Sequence, residues 1–136
     1  MTFSNDKAIY IQMADRICDE ILAGKYAADD RIPSVREYAV LLQVNTNTAV
    51  KAYDALARDE VIYNKRGLGY FVTPNAKEKI LAVRRKEFME RTLPDFIRQA
   101  TMLGIDISTV EKYWKYNSIP QDNPIFINNN LINPNL

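Results

Sequence analysis

Apolar residues recur at helical spacing near the start of the chain. The repeat of about four residues is that of one face of an amphipathic α-helix, over about residues 9–23. The predicted buried face consists of Ile9, Met13, Ala14, Ile17, Cys18, Ile21 and Leu22. Gly24 follows the last periodic residue, and glycine is typical of a helix C-cap because it tolerates positive φ. The pattern therefore predicts one helix with one buried side.

A second, shorter helix is predicted directly after Pro33. Ser34 and Glu37 form the sequence of a capping box, in which each side chain bonds the backbone N–H of the other. The helix is expected to run to about Leu42. Because Val40, Leu41 and Leu42 are strongly apolar, we expect all three to pack on the first helix.

A third helix is predicted over about 46–59, after a turn at Gln43 and Val44. Asn45 stands at the N-cap position, where a short side-chain oxygen can accept an N–H of the first turn. The apolar stripe of this helix falls on Ala49, Ala52, Tyr53 and Leu56.

Two short strands follow, at residues 61–63 and 70–73. The segment 64–69 between them contains Gly67 and Gly69, which supply the positive φ angles that a tight hairpin requires. Two helices joined by a turn and followed by a glycine-tipped hairpin make a winged helix-turn-helix, which we assign to residues 1–74. The predicted fold class is mainly α with a small β-wing.

The pattern becomes helical again over residues 75–117, which we predict to be a short dimerisation or effector region. Pro94 is expected to interrupt the helix near Leu93, and Gly104 to end it. Ser108 is predicted to cap a last helix at about 109–117. The tail, residues 118–136, is rich in Asn and Pro and is expected to be extended or disordered, with 125–127 as a candidate strand.

Composition narrows the function classes. The chain has no histidine, a single cysteine and a net charge of +1. Residues 1–75 hold nine Lys or Arg against ten Asp or Glu, so this half is not basic, which argues against strong non-specific DNA affinity. Neither a secretory signal nor a membrane span is visible, and the lone cysteine fits a reducing cytoplasm. We expect no enzyme, no metal site and no cofactor.

A polar run opens the third helix and gives the strongest functional signal. The first turn of a recognition helix must present hydrogen-bonding groups to base edges, and Asn can pair with adenine through two hydrogen bonds. Lysine one turn later, arginine in the preceding helix and basic residues at the wing are placed for phosphate or base contact. The predicted DNA-binding residues are Arg36, Asn45, Thr46, Asn47, Thr48, Lys51, Lys65, Arg66 and Gly67.

These motifs resemble the GntR family of bacterial transcription regulators. The resemblance rests on the Pro-Ser-x-Arg-Glu helix, the recognition helix and the glycine-rich wing, and the run 44–53 is similar to the YtrA-type subfamily. It implies DNA contacts at the positions just given, from Arg36 to Lys51 and at Gly67, and a homodimer paired through two C-terminal helices. It also implies a link to transporter operons.

Three residues depart from the family pattern. Gln43 stands where glycine is common, at a cost of about 1 kcal/mol if the residue is left-handed. Thr46 replaces the usual Pro or Arg, and Leu68 replaces a common basic residue at the wing. The last two bear on base preference and minor-groove contact.

The function that these observations predict is a sequence-specific, dimeric repressor that binds an inverted repeat. Apolar residues beyond the wing exceed what a short helix can bury, so we assign them to the dimer interface. They are Ile80, Val83, Phe88, Met89, Phe96, Ile97 and Trp114. Two alternatives stay open: a winged-helix module that binds protein, and a switch that responds to a small-molecule effector.

Overall fold

The computed structural model describes residues 3–118. Within this range, three helices precede a β-hairpin, and three more helices and a π-helical segment follow it. In chain order the elements are α1 (Ile9–Leu22), α2 (Val35–Leu42), α3 (Thr46–Arg58), β1 (Ile62–Lys65), β2 (Gly69–Val72), α4 (Ala76–Glu87), the π-helical segment Phe88–Thr92, α5 (Leu93–Met102) and α6 (Ile107–Asn117). The predicted fold class is confirmed. Of the predicted tail, everything beyond Ser118 lies outside the described residues.

Helix α1 buries one side, as its four-residue repeat predicts. Met13, Ile17 and Ile21 are at most 1% exposed. The prediction is wrong for Ile9, which is exposed because it begins the helix, beyond the reach of the core. Gly24 has φ +86° and lets the chain reverse after α1, as expected of its place after the last turn.

Helix α2 begins with the predicted capping box. Ser34 Oγ accepts the N–H of Glu37 at 3.1 Å, and Glu37 Oε1 accepts the N–H of Ser34 at 3.0 Å. The prediction that Val40 and Leu41 pack on α1 is wrong, since they are 78% and 62% exposed. An eight-residue helix has room for one buried side, and that side holds Tyr38, Ala39 and Leu42.

Helix α3 follows a tight turn and fills the centre of the core. Gln43 is left-handed, with φ 56° and ψ 47°, so the position favoured for glycine does hold a side chain here. Asn45 caps α3 as predicted, and the apolar stripe is buried as predicted: Ala49, Ala52, Tyr53 and Leu56. Tyr53 also donates its hydroxyl to the carbonyl of Pro33 at 2.5 Å, which ties α3 to the chain before α2.

The wing is an antiparallel hairpin whose strands are displaced by one or two residues from the predicted ranges. Ile62 pairs with Val72 and Lys65 with Gly69, which leaves residues 66–68 as the tip. Gly67 and Gly69 have φ +80° and +111°, the conformations for which glycine was expected here. A bridge between Arg31 and Phe71 adds a short third segment beside β2.

Helix α4 belongs to the winged-helix unit, contrary to the predicted boundary between residues 74 and 75. The chain divides into two compact units, the first ending at Lys86 and the second beginning at Glu87. Ala76 and Ile80 are buried in the core of the first unit, and Arg84 pairs with Asp19 of α1 at 2.8 Å. The hairpin does not cover the side of the core where Ala76 and Ile80 lie, and α4 covers it.

The second unit is helical and exposes much apolar surface. Its chain is interrupted before Pro94 as predicted, by the π-helical segment, and Gly104 (φ +71°) follows the end of α5 as predicted. The last helix begins two residues earlier than expected. Its cap is Asp106, whose carboxylate accepts the N–H of Thr109 at 3.0 Å, and not Ser108. In the described part of the chain, no helix is both long and apolar enough to cross a membrane.

Candidate nucleic-acid interface

The polar start of α3 is exposed. Asn45, Thr46 and Asn47 are all accessible, and Thr48 is half-buried. Asn45 Oδ1 accepts the N–H of Asn47 at 2.7 Å, so this oxygen is engaged in capping the helix. A two-point contact with adenine uses both the oxygen and the amide nitrogen of an Asn side chain. Asn47 is therefore better suited to that contact than Asn45.

Arg36 and Lys51 lie on neighbouring elements. Arg36 is exposed in the first turn of α2, where the capping box fixes the backbone on either side of it. Lys51 is exposed on α3 one turn after Asn47, on the same side of the helix. Helices α2 and α3 pack against each other, so both cations belong to one rigid helix pair.

The wing carries the remaining predicted residues. Lys65 Nζ lies 5.0 Å from the centre of the Phe71 ring, on which it packs, and Arg66 is exposed at the tip. Apart from Gly67 and its two chain neighbours, no atom of the described residues lies within 4 Å of the place where a Cβ of Gly67 would be, so the tip is open there. Leu68 is 61% exposed. The tip therefore presents one guanidinium, an open glycine backbone and one apolar side chain.

The winged-helix unit that ends at Lys86 holds 14 Lys or Arg against 11 Asp or Glu, and the ion pairs that the structure describes in it leave the predicted DNA-binding cations unpaired. Five acids of the winged-helix unit are paired, in every case with a cation outside the predicted DNA contacts: Lys7–Asp15, Lys25–Glu20, Arg31–Glu37, Lys79–Glu60 and Arg84–Asp19. Among the described residues, no ion pair involves Arg36, Lys51, Lys65 or Arg66. The positive charge on the predicted face is thus not neutralised.

Two residues near this face were missed at the level of sequence. Val50 is 40% exposed on α3, three residues after Asn47, and an apolar group there suits a thymine methyl. Arg31 reaches the wing tip, where its Nε donates to the carbonyl of Leu68 at 3.1 Å. The sequence gives no signal for Arg31, because its partner is 37 residues away.

An acid limits the interface along α3. Asp54 is exposed seven residues after Asn47, which places both side chains on one side of the helix. A carboxylate repels DNA phosphate. The part of α3 suited to DNA is therefore its first two turns, from Asn45 to about Lys51.

Most of the predicted dimer residues are exposed, and one is not. Val83, Phe88, Met89, Phe96, Ile97 and Trp114 are each about half or more exposed. The prediction for Ile80 is corrected, since this side chain is 3% exposed and belongs to the core of its own unit. An i, i+3 and i+4 pattern cannot distinguish a residue that covers its own core from one that faces a partner.

The described residues offer little to catalysis. They contain no group of three or more metal-ligating side chains. Cys18 is buried, and burial raises the pKa of its thiol to about 11. A thiol of that pKa is protonated at neutral pH and is a poor nucleophile.

Comparison with known proteins agrees with this geometry. Residues 9–72 match the family described as bacterial regulatory proteins, gntR family. The HTH-type transcriptional regulator YhcF of Bacillus subtilis is 31% identical over 103 residues, which are 76% of this chain and 84% of YhcF. The HTH-type transcriptional repressor YtrA of the same organism is 31% identical over 107 residues, 79% of this chain and 82% of YtrA.

A solved structure extends the likeness to the second unit. It is a transcriptional regulator of the GntR family from Bacteroides thetaiotaomicron, 49% identical, with a TM-score of 0.72. The match covers 85% of this chain and 100% of that one. This chain therefore belongs to the GntR family of DNA-binding transcription regulators and is not an enzyme.

Proposed function

We propose that the chain is a homodimeric repressor that binds a short inverted repeat in bacterial DNA, in the cytoplasm. Two copies of α3 would enter successive stretches of the major groove on one side of the duplex, about 34 Å apart. Repression is proposed because YtrA, a similar protein, is named as a repressor. The simplest mechanism of repression is an operator that overlaps a promoter, so that the bound protein prevents transcription.

One observation carries the DNA-binding part of the proposal. Within residues 3–118, Arg36, Lys51, Lys65 and Arg66 form no ion pair, while five acids of the same unit are paired with other cations. A cation paired within the protein must lose that partner before it can bind phosphate, and an unpaired one need not. These four cations lie on α2, α3 and the wing, the elements that a winged helix-turn-helix applies to DNA.

The dimer is proposed from the apolar surface of the second unit. Phe88, Met89, Phe96 and Ile97 are each about half exposed, and no residue of their unit is buried among the described residues. Several large apolar side chains exposed on one short unit are typical of an interaction surface. A symmetric pair would cover the same residues on both copies.

The proposal is tested by selecting bound fragments from random duplexes with the full chain. The expected product is a palindrome with two half-sites about one helical turn apart. A single half-site or no enrichment would contradict the dimeric readout or DNA recognition altogether. Transcription in vitro from a promoter overlapping the recovered site should fall when the protein is added, and a rise would contradict repression.

A salt titration on the recovered operator tests the charge argument. If each protomer contributes four cations, the slope of log K against log salt should be about −7. Arg36→Gln and Lys51→Gln should each make the slope less negative by about 2, one phosphate contact per protomer. Lys25→Gln is the matched control, because Lys25 is paired with Glu20 at 3.2 Å and lies outside the predicted contacts. An equal effect of all three variants would contradict the proposed face.

A further inference from the structure

We propose that Arg31 is a positioning residue of the DNA interface, which holds the wing tip in register with the first turn of α2. The inference rests on the proposed function, since the tip is positioned for DNA. It assigns a role to a residue outside the predicted contacts. Arg31 would act through the wing and not by touching DNA.

The side chain of Arg31 connects two parts of the winged-helix unit. Its Nε donates to the carbonyl of Leu68 at 3.1 Å, and its Nη2 lies 3.8 Å from Glu37 Oε1. Leu68 belongs to the wing tip, and Glu37 to the first turn of α2. The guanidinium therefore lies between the tip and the turn that carries Arg36.

Gly69 provides the space that the guanidinium occupies. A Cβ at this position would lie 3.1 Å from Arg31 Nε and 3.6 Å from Nη2. The guanidinium thus packs directly against the backbone of Gly69. A side chain at position 69 would crowd it, so glycine is needed for this close approach. Gly69 also has φ +111°, which the turn itself requires.

The backbone of Arg31 is fixed to the base of the wing. The N–H of Ile32 donates to the carbonyl of Tyr70 at 3.0 Å, and the N–H of Val72 donates to Asp30 at 2.9 Å. These bonds flank Arg31, which itself bridges to Phe71. Its side chain therefore reaches the tip from a rigid starting point.

Glu37, at the other end, is held as a carboxylate. Its pKa is lowered, first by the backbone hydrogen bond from Ser34 and to a smaller extent by Arg31. Since the capping box orients Glu37, the carboxylate faces Arg31 without needing Arg31 to order it. The tip is less constrained: within the hairpin, Leu68 donates to the carbonyl of Lys65 at 2.8 Å. In the part of the chain that the structure describes, the bond from Arg31 is the hydrogen bond that connects Leu68 to residues outside the hairpin.

The test compares a positioning role with direct phosphate contact, using the full chain and the operator recovered by selection. Affinity is measured by fluorescence anisotropy over a salt series for Arg31→Gln, Arg31→Lys, Arg66→Gln and the double variant Arg31→Gln/Arg66→Gln. Lys25→Gln is the control, because it also removes one cation and one ion pair from the unit. Thermal unfolding of each variant establishes that it is folded.

A positioning role predicts that Arg31→Gln weakens operator binding about tenfold, comparable to the loss of one contact. Arg31→Lys should weaken it similarly, since an ammonium cannot reproduce the planar fork between two acceptors. In the Arg66→Gln background, Arg31→Gln should add less than about twofold, because its effect passes through the tip. The control should bind as the native chain does.

Several outcomes would overturn the inference. The first is operator affinity equal to that of the native chain in Arg31→Gln or in Arg66→Gln. The second is native affinity in Arg31→Lys. The third is a double variant in which the two losses of affinity add and the salt slope becomes still less negative. Native affinity in Arg31→Lys, or additive losses in the double variant, would identify Arg31 as a phosphate contact. If Arg31→Gln is unfolded, Glu37→Gln replaces it, because the amide oxygen still accepts from Ser34 while the charge facing Arg31 is lost. Failure of the native chain to bind any duplex would instead refute the proposed function.

Discussion

Asn45 and Asn47 carry the same side chain, two residues apart, in different surroundings. Asn45 uses its side-chain oxygen to cap α3 at 2.7 Å, whereas Asn47 contributes only its backbone N–H to that bond. The first residue therefore stabilises the helix, and the second is available to a base. Composition alone cannot separate these roles, but the geometry of a cap does.

Replacing each asparagine by alanine should separate stability from recognition. Asn45→Ala should lower the free energy of unfolding by about 1 kcal/mol, because the cap is lost. Asn47→Ala should change it by less than about 0.5 kcal/mol but reduce discrimination at one base pair of the operator by about 1–3 kcal/mol. Urea denaturation and binding to operators substituted one pair at a time are the measurements.

The control is Asn45→Asp, which keeps an oxygen acceptor at the N-cap and should restore the stability lost in Asn45→Ala. If Asn47→Ala ranked the substituted operators as the native chain does, Asn47 would not read a base. If Asn45→Ala were as stable as the native chain, the cap would not account for the role of Asn45.

Signals that lie within a few neighbouring residues were read correctly from the sequence. Ser34 and Glu37 are three residues apart, and the cap at Asn45 depends on the turn beside it, so both could be predicted. The role of Arg31 could not, because Leu68, which accepts its hydrogen bond, is 37 residues away and comes near only in the folded wing. Val40 and Leu41 were misplaced because hydrophobicity does not say which way a helix faces.

At the scale of elements, the π-helical segment sets the direction of the apolar residues around it. The N–H of Leu93 donates to the carbonyl of Phe88, five residues back, and Pro94 has no N–H to continue an α-helical ladder. A π turn contains about one residue more than an α turn. One π turn and one α turn together span about eight residues. Phe88 and Phe96 therefore come to the same side of the helix, as do Met89 and Ile97.

Pro94→Ala should therefore weaken the proposed dimer while making the chain more helical. The restored N–H permits a regular α-helix, in which eight residues exceed two turns and rotate Phe88 away from Phe96 by about 80°. We expect a larger helical signal in circular dichroism and a dimer dissociation constant raised about tenfold or more. Both quantities are measured on the full chain, the second by sedimentation.

Pro74→Ala is the control, because Pro74 is exposed in the loop before α4 and outside the π-helical segment. Its dimer dissociation constant should not change. A Pro94→Ala variant that dimerises as well as the native chain would show that the π-helical segment is not needed to align the interface.

The sequence predicted an interruption near Leu93 but not its form. Proline removes one hydrogen bond, and the chain can respond with a kink, a break or a wider turn. Which response occurs depends on the packing of both flanking turns. The same limit applies to α4, whose weak amphipathic pattern did not reveal that Ile80 completes the core of the first unit.

At the scale of the whole molecule, charge and apolar surface are distributed differently over the two units. The first unit carries the predicted DNA-binding cations, and the second unit exposes Phe96 and Ile97. The charge of residues 1–75 argued against strong non-specific DNA affinity, and the sequence could not show that five acids are paired with cations outside the predicted contacts. Charge placement matters more than its sum for a protein that reads one face of DNA.

Substituting Phe96 and Ile97 together by Asp should produce monomers. Four carboxylates would be brought into one symmetric interface, where desolvation and like-charge repulsion both oppose pairing. A monomer loses the effective concentration by which one bound half-site assists the other, so affinity for the full operator should fall about 100-fold or more. Affinity for an isolated half-site should stay within about twofold, because the first unit is unchanged. Sedimentation gives the oligomeric state, and anisotropy gives both affinities.

Val40 and Leu41 offer a matched control, since they are also adjacent, apolar and exposed but lie on α2. Substituting them by Asp changes the charge by the same amount and should leave the protein dimeric. The reverse result, a dimer with Asp at 96 and 97 and a monomer with Asp at 40 and 41, would move the interface to α2. The two double variants therefore decide which unit pairs the protein, because each surface is disrupted in a chain that keeps the other intact.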